Sequence, residues 1–358
     1  MKKLLILSTA LSSFAFAANA EVILMSWGGA YGAAQNDAHL KPFTEATGIA
    51  TTMLDSDNPA TAVKAMVEAG NVNMDVVSIE YADSIRLCDE GLLELIDPAM
   101  LPAGNDGVPA LDDFFPGAVT ECAVSTDIWA QVFAYDTTKY PEGAGPTTAV
   151  DFFDLEKFPG KRGLRKGAKT MLEFALMGDG VAPADVYALL STPEGLDRAF
   201  AKLDTIKSEV VWWEAGSQAP QLLADGEVAM TSAYNGRIFN AAMTEGKPFK
   251  IVWDGQIYEN EMYAVPKGAP NKEEAMKFIA YATSTDGLRA QATQISYGPA
   301  RKSAFNEPLM FKDGVTDMIP NLPTAPGNLG NALEANHEFW VDKDSELNER
   351  FNAWLATN

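Results

Sequence analysis

The residue types that carry most bond-making chemistry are scarce in this chain. Its 358 residues hold two histidines, His39 and His337, and two cysteines, Cys88 and Cys122. Neither histidine stands in an H-E-x-x-H or H-x-E…C-x-x-C pattern, so a His/Cys metal site is not expected. No Ser-His-Asp or Cys-His set can be assembled with sequence support. No P-loop is present. Gly28, Gly29 and Gly32 follow an apolar run, but G-x-G-x-x-G is absent and Trp27 crowds the turn, which argues against dinucleotide binding. Paired carboxylates for glycoside hydrolysis stay open in principle, yet nothing singles out a pair. The expectation is a protein without catalysis, cofactor or metal.

Cys88 and Cys122 are an even pair with no C-x-x-C. In an oxidising compartment such a pair reads as one disulfide. Two buried free thiols are the other reading, because spacing alone does not put the Cα atoms within bonding reach. The compartment follows from the N-terminus. Lys2 and Lys3, the apolar run Leu4 to Ala17, and Ala18-Asn19-Ala20 have the layout of a secretory signal over residues 1–20. The run is too short to span a bilayer comfortably, and no later stretch is long and apolar enough to do so. No Cys follows the cut, so a lipid anchor is not expected there. With the signal removed, 27 basic residues become 25 against 49 acidic ones, and the net charge of −22 becomes −24. Such a protein repels nucleic acid and anionic lipid, which are set aside as partners. The charge is spread along the chain, so it does not locate a site.

The remaining length exceeds what one hydrophobic core usually holds, so two domains are expected. Strand-like and helix-like patterns alternate, the mark of α/β architecture. Residues 22–27 read as a buried first strand, ending at the turn Gly28-Gly29-Ala30-Tyr31-Gly32. Residues 33–47 read as a helix with Gly48 as its C-cap. Strands follow over 49–54 and 74–79. Between them Asn58-Pro59 opens a helix stopped by Gly70, and a further helix over 82–90 ends at Gly91. Residues 101–116 read as loop, and 129–135 as a strand crossing between domains. A second set includes helices over 183–190, 193–206 and 217–224, and strands over 210–213 and 228–232. A strand over 262–265 returns to the first domain. Residues 271–283 read as a helix capped by Asn271, and 334–355 as a long surface helix.

Several segments carry a resemblance. Trp27 ends the first strand. Phe43-Thr44-Glu45-Ala46-Thr47-Gly48-Ile49 follows one helix later. Then come Met74-Asp75-Val76-Val77, Gly91-Leu92-Leu93-Glu94-Leu95-Ile96-Asp97, Leu222 to Met230, and Val265 to Lys272. In this order and spacing they resemble the periplasmic spermidine/putrescine-type solute-binding proteins of ABC importers. The resemblance implies a type II periplasmic binding fold: two α/β lobes joined by crossover strands, with ligand in the cleft. Lobe 1 would take 21–134 and 259–303. Lobe 2 would take 135–258, with 304–358 packing on it. It further implies a monomer that closes on its ligand and is then recognised by membrane permease subunits.

In that family aromatic side chains stack along an aliphatic ligand and carboxylates hold its ammonium groups, which agrees with cation–π and charge-assisted bonding. Carried over by position, Trp27 matches the aromatic closing the first strand, with Tyr31 in the same loop. Glu80 falls where a small hydroxyl residue is usual. Trp213, Ser217 and Gln218 match a strand-to-helix junction, where hydroxyl and backbone NH groups can point at ligand. Tyr234 matches a tryptophan, Glu261 the aspartate that grips an amine, and Tyr297 a cleft aromatic. Two departures matter. Arg237 stands where polyamine binders tend to carry aspartate, and Lys166-Gly167-Ala168-Lys169-Thr170 replaces a region that should supply another acid. A cleft cation opposes a second ammonium, whereas an Arg fork suits a carboxylate. The expected ligand is therefore a small amine or a zwitterion such as γ-aminobutyrate. Its carboxylate would sit on Arg237 and its amine on Glu261 and Glu80. If Arg237 is instead tied up in an ion pair, a polyamine fits better. A sensory carrier and a periplasmic enzyme are the other functions weighed.

Overall fold

A computed structural model describes residues 21–141 and 143–357; the expected signal lies outside these. The strands are β1 (Glu21–Ser26), β2 (Ala50–Asp55), β3 (Val76–Glu80), β4 (Ala123–Asp136), β5 (Arg162–Arg165), β6 (Val210–Trp213), β7 (Met230–Tyr234), β8 (Phe249–Ala264) and β9 (Leu333–Glu334). They form one mixed sheet in the order β2-β1-β3-β8-β4-β7-β5-β6, with β9 added to β8. The two ends are parallel, β2-β1-β3 and β7-β5-β6, while β8 and β4 pair antiparallel between them.

β4 and β8 explain the layout. At 14 and 16 residues, each spans roughly 45–55 Å, and each feeds two cores. Val124 and Tyr263 pack with Val22, Phe43 and Phe278 at one end. Phe133, Val252 and Ile257 pack with Phe152, Phe174 and Leu203 at the other. Thirteen of the β4 residues are buried, so helices cover both faces, as for an inner strand.

Most expected elements stand where the pattern put them. Asn58 caps the helix Pro59–Glu68, its side-chain oxygen accepting from Thr61 N at 3.0 Å. Gly48 ends Lys41–Thr47 in the left-handed region, at φ 75°. Six expectations need correction, among them the crossing strand over 129–135, which is the end of the longer β4. The single helix over 33–47 is Gly29–Gln35, a π-helical turn and Lys41–Thr47. The loop over 101–116 contains a short helix, Ala110–Asp113. The helix over 183–190 begins as a 3₁₀ turn, Pro183–Asp185, before Val186–Leu190. The returning strand 262–265 is the tail of the much longer β8. Asn271 precedes the helix Lys272–Ala282 but does not cap it, because its side chain donates to Asp75.

Cys88 and Cys122 form a disulfide with Cα atoms 5.8 Å apart, which removes the free-thiol alternative. It ties the helix Tyr81–Asp89 to the start of β4. The C-terminal helix His337–Leu355 buries Trp340, Leu347 and Phe351 in the larger core. At its start His337 meets Tyr81 with ring centroids 4.5 Å apart. Among the described residues no helix is long and apolar enough to cross a membrane.

Candidate functional site

Strand register places a row of buried acids on one face of the sheet. Glu80 on β3 lies opposite Glu261 on β8, which in turn lies opposite Asp127 on β4. Glu259, two residues before Glu261, lies opposite Trp129. Directly opposed residues, and residues two apart, share a face. Gln131 on β4 faces Tyr234 on β7, so Tyr234 joins the same surface. A register shift between Ser125 and Asp127 sets this alignment.

Above this face is a void of about 470 Å³, mouth included. Trp27, Tyr31, Trp129, Tyr234 and Tyr297 supply its aromatic walls. Tyr31 and Tyr297 meet edge to face at 5.4 Å, and Trp129 and Tyr234 at 5.3 Å. Such pairs hold each ring where its neighbour fixes it.

The acids are held in different ways. Glu261 Oε1 accepts from Trp27 Nε1 and from Ser78 Oγ, both at 2.7 Å. Burial, and then the nearby Asp127, push its carboxyl well above the ordinary range. Asp127 accepts from Tyr31 Oη at 2.8 Å and Gln291 Nε2 at 2.5 Å, and burial pushes it up to about 7. Glu80 is occupied by the chain's own cations: Lys169 Nζ is 2.8 Å from one oxygen and Arg165 Nη1 3.5 Å from the other. Burial would raise Glu80, but Lys169 and Arg165 outweigh it and hold the carboxyl below the ordinary range. Lys169 also donates to both oxygens of Glu259, at 3.0 and 2.7 Å.

Arg237 stands differently. Its Nη1 donates to Gly28 O and its Nη2 to Trp27 O, each at 3.2 Å. No carboxylate among the described residues lies in ion-pair reach of it, and Nε is buried without a partner. Glycines make room for the guanidinium. A Cβ on Gly29 would lie 2.6 Å from Nη1, and one on Gly216 2.7 Å from Nε. Gly29 also adopts φ 58°, which side chains disfavour. The ion-pair alternative for Arg237 is therefore not what the structure shows.

Of the ten residues carried over by position, seven line the void: Trp27, Tyr31, Glu80, Tyr234, Arg237, Glu261 and Tyr297. Three do not. Trp213 is buried behind Tyr234, with ring centroids 6.0 Å apart. Ser217 lines a separate hollow beside Ala30 and Arg237. Gln218 accepts from Glu214 N and Ala215 N, at 2.8 and 2.9 Å, and so shapes the loop whose Ala215 and Gly216 reach the void. The sequence reading missed Trp129 and Arg165, along with Asp57 and Glu214 at the void. The sequence pattern places Trp129 only within a crossing strand. The alternation that puts Asp127 and Trp129 on one face was the signal for it.

This arrangement offers a fixed cation, fixed acids and ring faces to a small polar molecule. The chain is similar to several known proteins. The profile described as bacterial extracellular solute-binding protein matches residues 38–317. The γ-aminobutyric acid-binding protein of Pseudomonas aeruginosa is 46% identical over 352 residues, covering 96% of this chain and 94% of that one. The spermidine/putrescine-binding periplasmic protein of Salmonella typhimurium is 26% identical over 269 residues, 72% of each chain. A solved structure described as a GABA receptor superposes with a TM-score of 0.78 at 33% identity, covering 94% of this chain and 98% of its own. The chain belongs to the bacterial extracellular solute-binding proteins, the substrate-binding components of ABC transporters.

Proposed function

We propose that this protein captures a small ω-amino acid, γ-aminobutyrate foremost, in the periplasm and hands it to an ABC permease. The observation that carries the ligand class is Arg237, a buried-side guanidinium held only by two backbone carbonyls, with Nε unpartnered. A guanidinium without a carboxylate partner is a fork ready for one. Glu261 offers the carboxyl for an ammonium, whose approach favours its charged form, and Tyr31, Tyr234 and Tyr297 flank the aliphatic part. The Pseudomonas relative and the GABA receptor structure support this ligand over a diamine.

In this reading residues 1–20 are removed on export. Lobe 1 comprises 21–134 and 259–303, and lobe 2 comprises 135–258 and 304–358. Hinge closure joins the Trp27 loop to Arg237 over the ligand. The protein acts as a monomer and releases its ligand chemically unchanged.

Thermal unfolding of residues 21–358 tests the ligand class. At about one hundred times its Kd a ligand adds roughly 2.7 kcal/mol of stability. γ-Aminobutyrate should raise the unfolding temperature of the wild type, and the shift should vanish in Arg237→Ala. A shift with putrescine or spermidine but not with γ-aminobutyrate would overturn the proposal.

A further inference from the structure

Lys169 lies on the far side of Glu80 from the ligand void. Its ammonium touches three carboxylate oxygens, one of Glu80 and both of Glu259, at 2.7 to 3.0 Å. All three side chains are buried. That is the arrangement in which a protein binds a free alkylammonium, except that here the amine is tethered to the chain. Thr170, the next residue, has φ 69°, the only positive φ outside glycine among the described residues. A second, polar void adjoins the first, and the two share Trp27, Glu80, Arg165 and Glu214; Lys169 lines only the second. Glu80 and Arg165 therefore form part of the wall between the two spaces. Glu80 is directly opposite Glu261 across the β3–β8 pair. The carboxylates around Lys169 thus lie about one short diamine from Glu261, since opposed Cα atoms are ~5 Å apart and residues i and i+2 ~7 Å apart.

We infer that Lys169 sets the ligand class, because its ammonium fills the dicarboxylate site of Glu80 and Glu259 that would otherwise take the second ammonium of a diamine. The inference rests on the zwitterion reading above and deepens it. Lys169, Arg165 and Arg237 face Glu80, Glu259 and Glu261. Asp127 sits behind Tyr31, engaged by Tyr31, Thr126 and Gln291. Lys169 and Arg165 already offset the Glu80 and Glu259 carboxylates before ligand arrives. A zwitterion leaves that balance intact. A diamine adds two positive charges, and the carboxylates beside Glu261 on the sheet, Glu80 and Glu259, are already held by Lys169. Exclusion here works through an occupied site rather than a narrow one.

The test compares wild type and Lys169→Ala, residues 21–358, by calorimetric titration with γ-aminobutyrate, putrescine and n-butylamine. Removing the tethered amine should lower the ratio of the putrescine Kd to the γ-aminobutyrate Kd by about tenfold or more, one decade in the equilibrium constant. n-Butylamine should raise the unfolding temperature of the variant and not of the wild type. If Lys169→Ala does not fold, Lys169→Gln, which keeps donors for the carboxylates, is read in the same way. A folded variant with an unchanged Kd ratio and no response to n-butylamine overturns the inference. A wild type that binds putrescine as tightly as the variant does so too. Failure of the wild type to bind γ-aminobutyrate bears on the ligand reading alone; the inference is then read from the putrescine Kd itself, which should fall about tenfold or more on removing Lys169.

Discussion

Replacing Asp127 with asparagine should change how stability depends on pH. The carboxylate is buried on β4, with Tyr31, Thr126 and Gln291 all donating to Oδ2. Oδ1 is buried without a partner among the described residues. Burial dominates the three donors and moves the group from 3.8 to about 7. The folded protein therefore keeps a proton on Asp127 that the unfolded chain has released. A raised carboxyl contributes stability that is fully present below the unfolded value, near 4, and is lost as pH rises through 7. A shift of three units corresponds to about 4 kcal/mol over that range. Asparagine occupies the same volume and carries no charge at any pH, so its contribution stays flat. The variant should gain on the wild type by up to about 4 kcal/mol between pH 4 and pH 9. Urea unfolding of both proteins across that range reads the difference directly. Glu173 and Glu259, each raised to about 7 by burial, titrate in both proteins and drop out of the comparison. Glu261 faces Asp127 across the β4–β8 pair, so part of the difference reports its relief from a neighbouring charge. Parallel pH profiles for the two proteins would refute the reasoning.

Two further outcomes are expected. Cys88→Ala with Cys122→Ala opens a loop of 34 residues and should cost about 4 kcal/mol in the chain-entropy account; the urea midpoint should fall while the preference among ligands stays unchanged. Gly216→Ala puts a Cβ 2.7 Å from Arg237 Nε and 3.0 Å from the Tyr234 ring. Since Gly216 does not sit in the left-handed region, the cost should fall on ligand: γ-aminobutyrate should bind about tenfold more weakly, or ~1.4 kcal/mol, with unfolding free energy changed by less than about 1 kcal/mol.

The fold was legible where pattern and punctuation agreed. Asn58-Pro59 before an apolar repeat, and Gly48 after one, marked helix ends that the structure keeps. The sequence reading fell short on the two strands that matter most. β4 hides Ser125, Thr126, Asp127 and Gln131 in its interior, and β8 runs through Asp254, Gly255, Glu259, Asn260 and Glu261. Polar residues at those densities look like loop, so only the apolar tails, 129–135 and 262–265, read as strand. The polar residues broke the pattern because many of them bond to one another and to neighbouring elements inside the sheet, with Glu261 alone of those named lining the void. Local rules tend to fail at functional positions, where side chains serve a ligand rather than a core.

The site was legible for the same residues in a more limited way. Position identified Trp27, Tyr234, Arg237 and Glu261, and the structure gathers them round one void. It could not say which charges were free. Glu80 and Arg237 were both expected to meet ligand, and they looked equally available. The fold separates them: Glu80 is engaged by Lys169, 89 residues away, and by Arg165, 85 away, while Arg237 reaches only the carbonyls of Trp27 and Gly28. A buried charge that is paired within the chain has spent its electrostatics on the fold, and an unpaired one keeps them for a ligand. Counting cationic residues near a cleft therefore does not predict ligand charge. What predicts it is the remainder after internal pairing, and that remainder is set by contacts between residues far apart in sequence.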